Sequence, residues 1–376
     1  MKLPAKQARG FRRALLRWFR HGQRDLPWRR TRDPYRIWVA EVMLQQTRVA
    51  AVVPYYRRFL ERFPTVAALA RGRTEQVLRY WAGLGYYNRA RHLHRAAKEI
   101  VVRHAGRFPR EFEAALRLPG VGRYTAAAVL SIAYGSPHTV LDGNVARVLA
   151  RLSNLGGELR AQRRWRQLQR AAQELLAPES PGEWNQAMME LGATVCTPRA
   201  PRCALCPVSR WCQAYKLGIA GQLPAPRRKR APVRVTLAAA VLLDRRGQTL
   251  LIKPEDGDSR GEAGALFSRI WQFPAIRVSR HPQKELARHL HASLGLNGAK
   301  LVPLPAARHC VTFREVTLAP FLVRLARLPD VPGARTPLLA KLDRLAISSA
   351  TRKIVDAARE KLSAENPRVK TRAASR

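Results

Sequence analysis

Four of the five cysteines fall within one short window, Cys196, Cys203, Cys206 and Cys212, in the pattern C-x6-C-x2-C-x5-C. Only the central pair has the compact spacing of thiolates on a single ion. Zinc sites more often use two compact pairs, whereas an unequal spread of four suits the larger iron–sulfur cubane, whose iron corners lie further apart. Zinc is the competing metal. Cysteine is scarce elsewhere, Cys310 being the odd thiol and assigned to packing, so a metal site in a reducing compartment is expected before a disulfide framework. Arg199, Arg202 and Arg210 sit between these cysteines, where a rigid centre would hold cations ready for phosphate. A structural, docking role follows.

Two carboxylates stand out next. Glu41 is embedded in WVAEVML, where desolvation would raise its pKa and leave a protonated acid able to donate to a leaving group. Taken alone, such a Glu could equally face solvent from the polar side of a helix. Asp142 in HTVLDGNVARVL stands just before a helical pattern, where the helix dipole favours its ionised form. Upstream, LPGVGRYTA (118–126) offers Gly120 and Gly122 for a tight turn with outward backbone N–H groups, able to hold a phosphate without reading sequence. A two-glycine turn by itself is also an ordinary helix connection.

The elements that must position these groups divide in two. From Phe11 to about Tyr215 apolar residues recur at helical spacing, as in FRRALLRWF, EQVLRYWAGLG, RHLHRAAKEIV and NVARVLARLSNL, which predicts an all-α domain over 1–220. A basic, Pro-rich linker is expected over 221–234. VTLAAAVLLDRRGQTLLIK then predicts two strands joined by a turn at Asp244–Gly247, and VTFREVTLAPFLVRL a half-buried strand, giving a smaller α/β domain over 235–363. Residues 364–376 read as a disordered basic tail. Lys and Arg total 69 against 26 Asp and Glu, a net charge of +43, which nominates a polyanionic partner, nucleic acid above all. No apolar run approaches the ~20 residues of a membrane span, and MKLPAKQARGFRR lacks a signal peptide's apolar stretch, so a soluble, intracellular protein is expected.

LPGVGRYTA, VLDGNVARV and the four cysteines together resemble the helix-hairpin-helix glycosylase superfamily that includes endonuclease III and MutY. DLPWR, WVAEVMLQQTRV, GLGYYNRAR and WNQAMMELGATVC narrow the resemblance to the MutY-like branch, over nearly all of the first 220 residues. Endonuclease III-like enzymes, the rival reading, carry a lysine nucleophile where this chain has Tyr124, which cannot form a Schiff base. The resemblance implies an adenine DNA glycosylase of base excision repair, acting on A paired with 8-oxoguanine or G, essentially without strand cleavage. It implies one [4Fe-4S] cluster on the four cysteines, double-stranded DNA as partner, a monomer, and a cytoplasmic, nucleoid-associated location.

By the same resemblance Glu41 protonates N7 of the extruded adenine and Asp142 stabilises the oxocarbenium-like sugar, with Tyr124 and Asn144 positioning Asp142 or water. Gln46, Thr47, Leu84 and Tyr86 contact DNA, Gln46 and Tyr86 as wedges, while Trp28, Arg29 and Leu44 line the adenine pocket. IWQFPAIRVSRHPQKELARHLHASLGL (270–296) resembles a Nudix domain's strand, loop and helix. Its helix carries Glu285 alone, short of the carboxylates a Nudix hydrolase needs for magnesium, so it is expected to examine the lesion, with His309 and Thr312 on DNA. Where MutY-like proteins present Phe-Ser-His, this chain has Val311, Thr312 and Phe313.

Overall fold

The computed structural model describes residues 4–225, 231–253, 270–311 and 313–365. By internal contacts the chain forms two units, Met1–Gly72 with Asn88–Arg228, and Arg73–Tyr87 with Lys229–Arg376. The helices are α1 (Ala5–Gly22), α2 (Pro34–Leu44), α3 (Val49–Arg62), α4 (Val66–Arg71), α5 (Thr74–Trp81), α6 (Asn88–Arg103), α7 (Phe112–Arg117), α8 (Arg123–Tyr134), α9 (Gly143–Leu152), α10 (Gln162–Leu175), α11 (Pro181–Thr194) and α12 (Gln213–Lys216). All but α5 belong to the first unit. Among the described residues no helix is long and apolar enough to cross a membrane.

Helical periodicity builds the first unit. Phe11, Leu15 and Phe19 fall one turn apart along α1 and join Val145 and Leu149 of α9, Leu168 and Leu175 of α10, and Trp184, Met188 and Leu191 of α11 in one core; a stripe at i, i+4, i+8 has no other way to leave water. Two glycines let α11 approach its neighbours closely. A Cβ on Gly182 would stand 2.6 Å from the Ser131 carbonyl oxygen of α8, and one on Gly192 would stand 2.8 Å from Asn144 Cβ at the start of α9. Asn185, buried on the same helix, donates to Ser131 Oγ (2.8 Å) and the His138 carbonyl (2.7 Å), and accepts from Val140 N–H (3.2 Å). The segment that leads into Asp142 is thereby fastened to α11.

In the second unit, strands β1 (Val233–Leu243), β2 (Ala275–Val278), β3 (Leu301–Pro303), β4 (Ala307–Val311) and β5 (Arg314–Arg324) form a mixed sheet in the order β2-β1-β5-β3, with β4 also on β5. Strands β1 and β5 run parallel over their whole length. Side chains alternate as period-two geometry requires. Val235, Leu237, Ala239 and Val241 meet Ile354, Val355 and Ala358 of α14 (Ser349–Glu365), whereas Ala238, Ala240 and Leu242 meet Leu286 and Leu290 of α13 (Pro282–Leu294). The expected turn at Asp244 forms, its Oδ1 accepting from Arg246 and Gln248 N–H. The second expected strand does not. Thr249, Leu251 and Ile252 make only isolated bridges, because their N–H groups go to three places, the carbonyls of Pro337, Arg335 and Gln272.

Residues 73–87, placed by helical periodicity inside a continuous domain over 1–220, group instead with the C-terminal unit. Glu75 of α5 accepts from Trp271 Nε1 (3.1 Å) and from both Arg335 Nη atoms (2.5 and 2.9 Å), and Tyr87 Oη donates to the Ile347 carbonyl (3.0 Å). Such partners are invisible to periodicity. The middle of the linker, 226–230, and the tail from 366 lie outside the described residues. Gly182→Ala should destabilise the fold by about 1–3 kcal/mol, as overpacking does, because the obstacle is main chain; a lowered denaturant midpoint at unchanged slope is the expected readout.

Candidate active site

One cleft of roughly 1310 Å3, open to solvent, is lined by Glu41, Tyr124, Asp142 and Asn144 together with Trp28, Arg29, Leu44, Gln46 and Thr47. These come from α2, α8, α9 and the loops at their ends, and all belong to the first unit.

Glu41 lies on α2, a helix buried along most of its length, and is itself only 5% exposed. Burial pushes its carboxyl from the usual 4.5 up to about 7; a hydrogen bond with Tyr124 opposes this, the charge of Asp142 adds to it and Arg29 subtracts. Tyr124 stands well above its usual 10, from burial first and then the charges of Glu41 and Asp142, so it is a neutral phenol. Its hydroxyl also reaches Met189 Sδ at 3.0 Å.

Asp142 is the N-cap of α9. Its Oδ1 accepts from the N–H groups of Asn144 (2.9 Å) and Val145 (2.7 Å), and its Oδ2 accepts from Asn144 Nδ2 (3.0 Å). These donors are the orphan N–H groups of a helix start. Asn144 Oδ1 in turn accepts from Arg147 Nη2 (2.9 Å), and the same guanidinium donates to the carbonyls of Gly192 (2.8 Å) and Cys196 (2.9 Å). A buried arginine thus joins the aspartate's support to the first cysteine of the cysteine loop.

Sequence reasoning overlooked a second buried carboxylate. Glu190, 1% exposed, accepts from Arg24 Nε (2.8 Å) and Nη2 (2.7 Å) and from Arg29 Nη2 (2.6 Å). Burial would raise its pKa, but the two guanidinium groups hold it at about 2. Gln186, Met189, Glu190 and Ala193 all line the cleft, at i, i+3, i+4 and i+7. That stripe was the available signal.

Trp28 is buried edge-on against Tyr56 (5.4 Å between centroids) and still borders the cleft, as does half-buried Leu44. Gln46 is exposed with φ +58°, and Tyr86 is 42% exposed with φ +49°. Left-handed backbone at a non-glycine residue is strained and concentrates at functional positions. Tyr86 sits in the second unit, in a loop pinned by Trp81 Nε1 on the Gly85 carbonyl (3.1 Å) and by Tyr87 on Ile347. Leu84, near it in sequence, is buried at 7% exposed. The turn after α7 forms as expected, Gly120 with φ +76° and a Cβ position blocked by His92 Cβ at 2.6 Å, and Gly122 as the N-cap of α8. His309 is half-buried on β4, its pKa lowered by burial and by Lys353. Glu285 is half-buried, its carboxylate taken up by the N–H groups of Ser279, Arg280 and His281. Thr312 lies outside the described residues.

Cys196, Cys203, Cys206 and Cys212 line a separate, small cavity walled by Val148, Leu152, Leu191 and Val195. Arg151, fully buried, donates Nη1 to Cys196 Sγ (3.2 Å) and to the Thr197 carbonyl (2.7 Å). Among the described residues no three His, Cys, Asp or Glu side chains are gathered around a single metal ion. The donor set fits a larger sulfur-ligated group: four thiols facing one apolar chamber beside the buried Arg151 guanidinium.

An acid kept neutral beside an aspartate on a helix start, near a glycine turn suited to phosphate, defines a base-excision glycosylase. In agreement, residues 39–178 match the family model of the HhH-GPD superfamily base excision DNA repair protein. The chain is 34% identical to the adenine DNA glycosylase of Mus musculus, covering 92% of this chain and 77% of the relative, and 35% identical to that of Homo sapiens, covering 92% and 73%. It belongs to the adenine DNA glycosylase family, and is an adenine-specific DNA N-glycosylase. A solved thermostable thymine-DNA glycosylase superposes with a TM-score of 0.52 at 30% identity, over 56% of this chain and 98% of that one.

The environment of Glu41 makes stability depend on pH. Its folded-state pKa is raised, so its contribution is fully present below the unfolded value near 4.5 and lost as pH climbs to about 7. Glu41→Gln, which cannot ionise, should therefore gain on the native chain by roughly 3 kcal/mol between pH 4.5 and 8, read from denaturant unfolding at each pH. An equal difference at both pH values would contradict the buried-acid assignment.

Proposed function

We propose that the enzyme removes adenine paired with 8-oxoguanine or guanine and leaves the strand essentially uncut. The observation that carries this is the convergence of Glu41 and Asp142 on one cleft, with burial keeping the first protonated near pH 7.

A base inside the duplex cannot reach that cleft, so the nucleotide leaves the stack, at roughly a few kcal/mol. Gln46 and Tyr86 hold the gap, their exposed side chains carried on strained turns. Glu41 gives its proton to N7, and the glycosidic electron pair leaves with a neutral base. Asp142, its lone pairs fixed by three donors, stabilises the cationic sugar or traps it as an ester until water completes hydrolysis. Tyr124 and Asn144 hold the two carboxyls in place, with Trp28, Leu44 and Arg29 bordering the base. With Tyr124 where a lysine would stand, no amine attacks the sugar. The four cysteines would hold a [4Fe-4S] cluster, which supplies a rigid tie for the Arg-bearing loop rather than a reacting group. Gly120 and Gly122 offer backbone N–H groups to a phosphate, and the second unit, through His309 and Thr312, meets the opposite base. A monomer in the cytoplasm, at the nucleoid, completes the reading.

Glu41→Gln should slow single-turnover adenine release from an A:8-oxoguanine duplex by at least 10²–10⁴-fold, the worth of a general acid, with DNA binding retained. The native rate should fall about tenfold per pH unit above 7, as Glu41 loses its proton. Borohydride with abasic DNA should give no efficient adduct; abundant trapping would point to a lyase. Lacking the loop histidine, the enzyme should favour 8-oxoguanine over guanine roughly 2- to 12-fold less than a Phe-Ser-His enzyme, the worth of one polar contact. An equal ratio would place recognition elsewhere.

A further inference from the structure

Helix α2 carries Glu41 in its body and ends where Gln46 begins its left-handed turn, so the end of this helix bears on the wedge rather than on the acid. The last carbonyls of a helix have no partner within it and must find one elsewhere. Here two of them, and the carbonyl just beyond the helix, are served by one side chain from α6. Arg89 Nη1 donates to the carbonyls of Val42 (3.0 Å) and Met43 (2.9 Å) and to that of Gln45, and its Nη2 donates to Thr47 Oγ1 (3.2 Å). The carbonyl between these, that of Leu44, accepts from Thr47 N–H (3.2 Å). A cation at a helix C-terminus also meets the negative end of its dipole. Gln46 thus has its preceding carbonyl and its following hydroxyl clamped by one planar fork, and its φ of +58° is enforced from both sides.

Resting on Gln46 as a wedge, we propose that Arg89 is a positioning residue for nucleotide extrusion: it holds the Gln45–Thr47 turn in the strained form that fills the vacated stack, and touches neither the base nor the sugar. Removing the fork lets the turn relax, and the strain must then be restored at the moment of extrusion. The loss falls on opening the duplex, not on breaking the bond. Lysine supplies the charge but only a point donor, so it cannot satisfy the same acceptors at once.

The test uses the full-length enzyme under single turnover on two duplexes, one with adenine paired to 8-oxoguanine and one with adenine in a one-nucleotide bulge, where little pairing must be broken. Arg89→Met should slow release roughly 10- to 100-fold on the paired duplex and less than about 3-fold on the bulge, and blunt the fluorescence rise of 2-aminopurine at the target position. The alkaline limb near pH 7 should stay where it is, since Glu41 keeps its surroundings. In a double-mutant cycle Gln46→Ala with Arg89→Met should be no slower than Gln46→Ala alone. Arg89→Lys should fall between, and is read in the same way should the methionine variant not fold. Equal losses on both duplexes, a displaced alkaline limb, or additive effects would overturn the assignment of Arg89. A harmless Gln46→Ala would instead sink the wedge itself, so the two failures are told apart.

Discussion

The placement of one neutral carboxyl governs this structure. Glu41 can serve as an acid only while its proton stays on at working pH, and nothing intrinsic to a glutamate provides that. Burial does, by withholding the water that would solvate the anion. The charge of Asp142 works in the same direction, because two negative groups sharing a cleft resist simultaneous ionisation. The two carboxyls therefore differ in environment: one is shut inside a buried helix, the other accepts hydrogen bonds from the N–H groups of a helix start.

Keeping that arrangement demands unusual rigidity in the first unit. Asp142 is held by the start of α9, which Asn144 and Arg147 tie to the Gly192 and Cys196 carbonyls, while Asn185 fastens the preceding segment to α11. Gly192 can only be a glycine there, because any side chain would push Asn144 aside and Asp142 with it. The cysteine loop and Asp142 are consequently joined through Asn144 and the buried guanidinium of Arg147.

Much of this was legible because the chemistry lies in local strings. Glu41 within apolar neighbours, Asp142 before a helix, Gly120 and Gly122 in a turn and the four cysteines in one window each announce an environment by their flanking residues, and the first helix by its Phe11, Leu15, Phe19 stripe. What escaped depends on partners distant in the chain. Glu190 reads as one more charge on a helix until Arg24 and Arg29 are brought beside it. Helix α5 looks continuous with the helical domain though Glu75 and Tyr87 bond to Trp271, Arg335 and Ile347. Thr249 to Ile252 alternate like a strand yet are divided among three partners. Periodicity tells which face is buried, not what buries it.

The surplus of positive charge poses a problem that the cleft itself answers. A chain with a net charge of +43 is built to hold phosphate, and cations of that density would ordinarily pull a nearby carboxyl into its ionised form. Arg29 does exert that pull on Glu41. The same arginine also donates, with Arg24, to Glu190, which is buried and ionised. Burial, the largest influence on Glu41, holds its proton against that pull. The two are the same residue type across one cleft, separated in pKa by whether arginine or apolar side chains surround them.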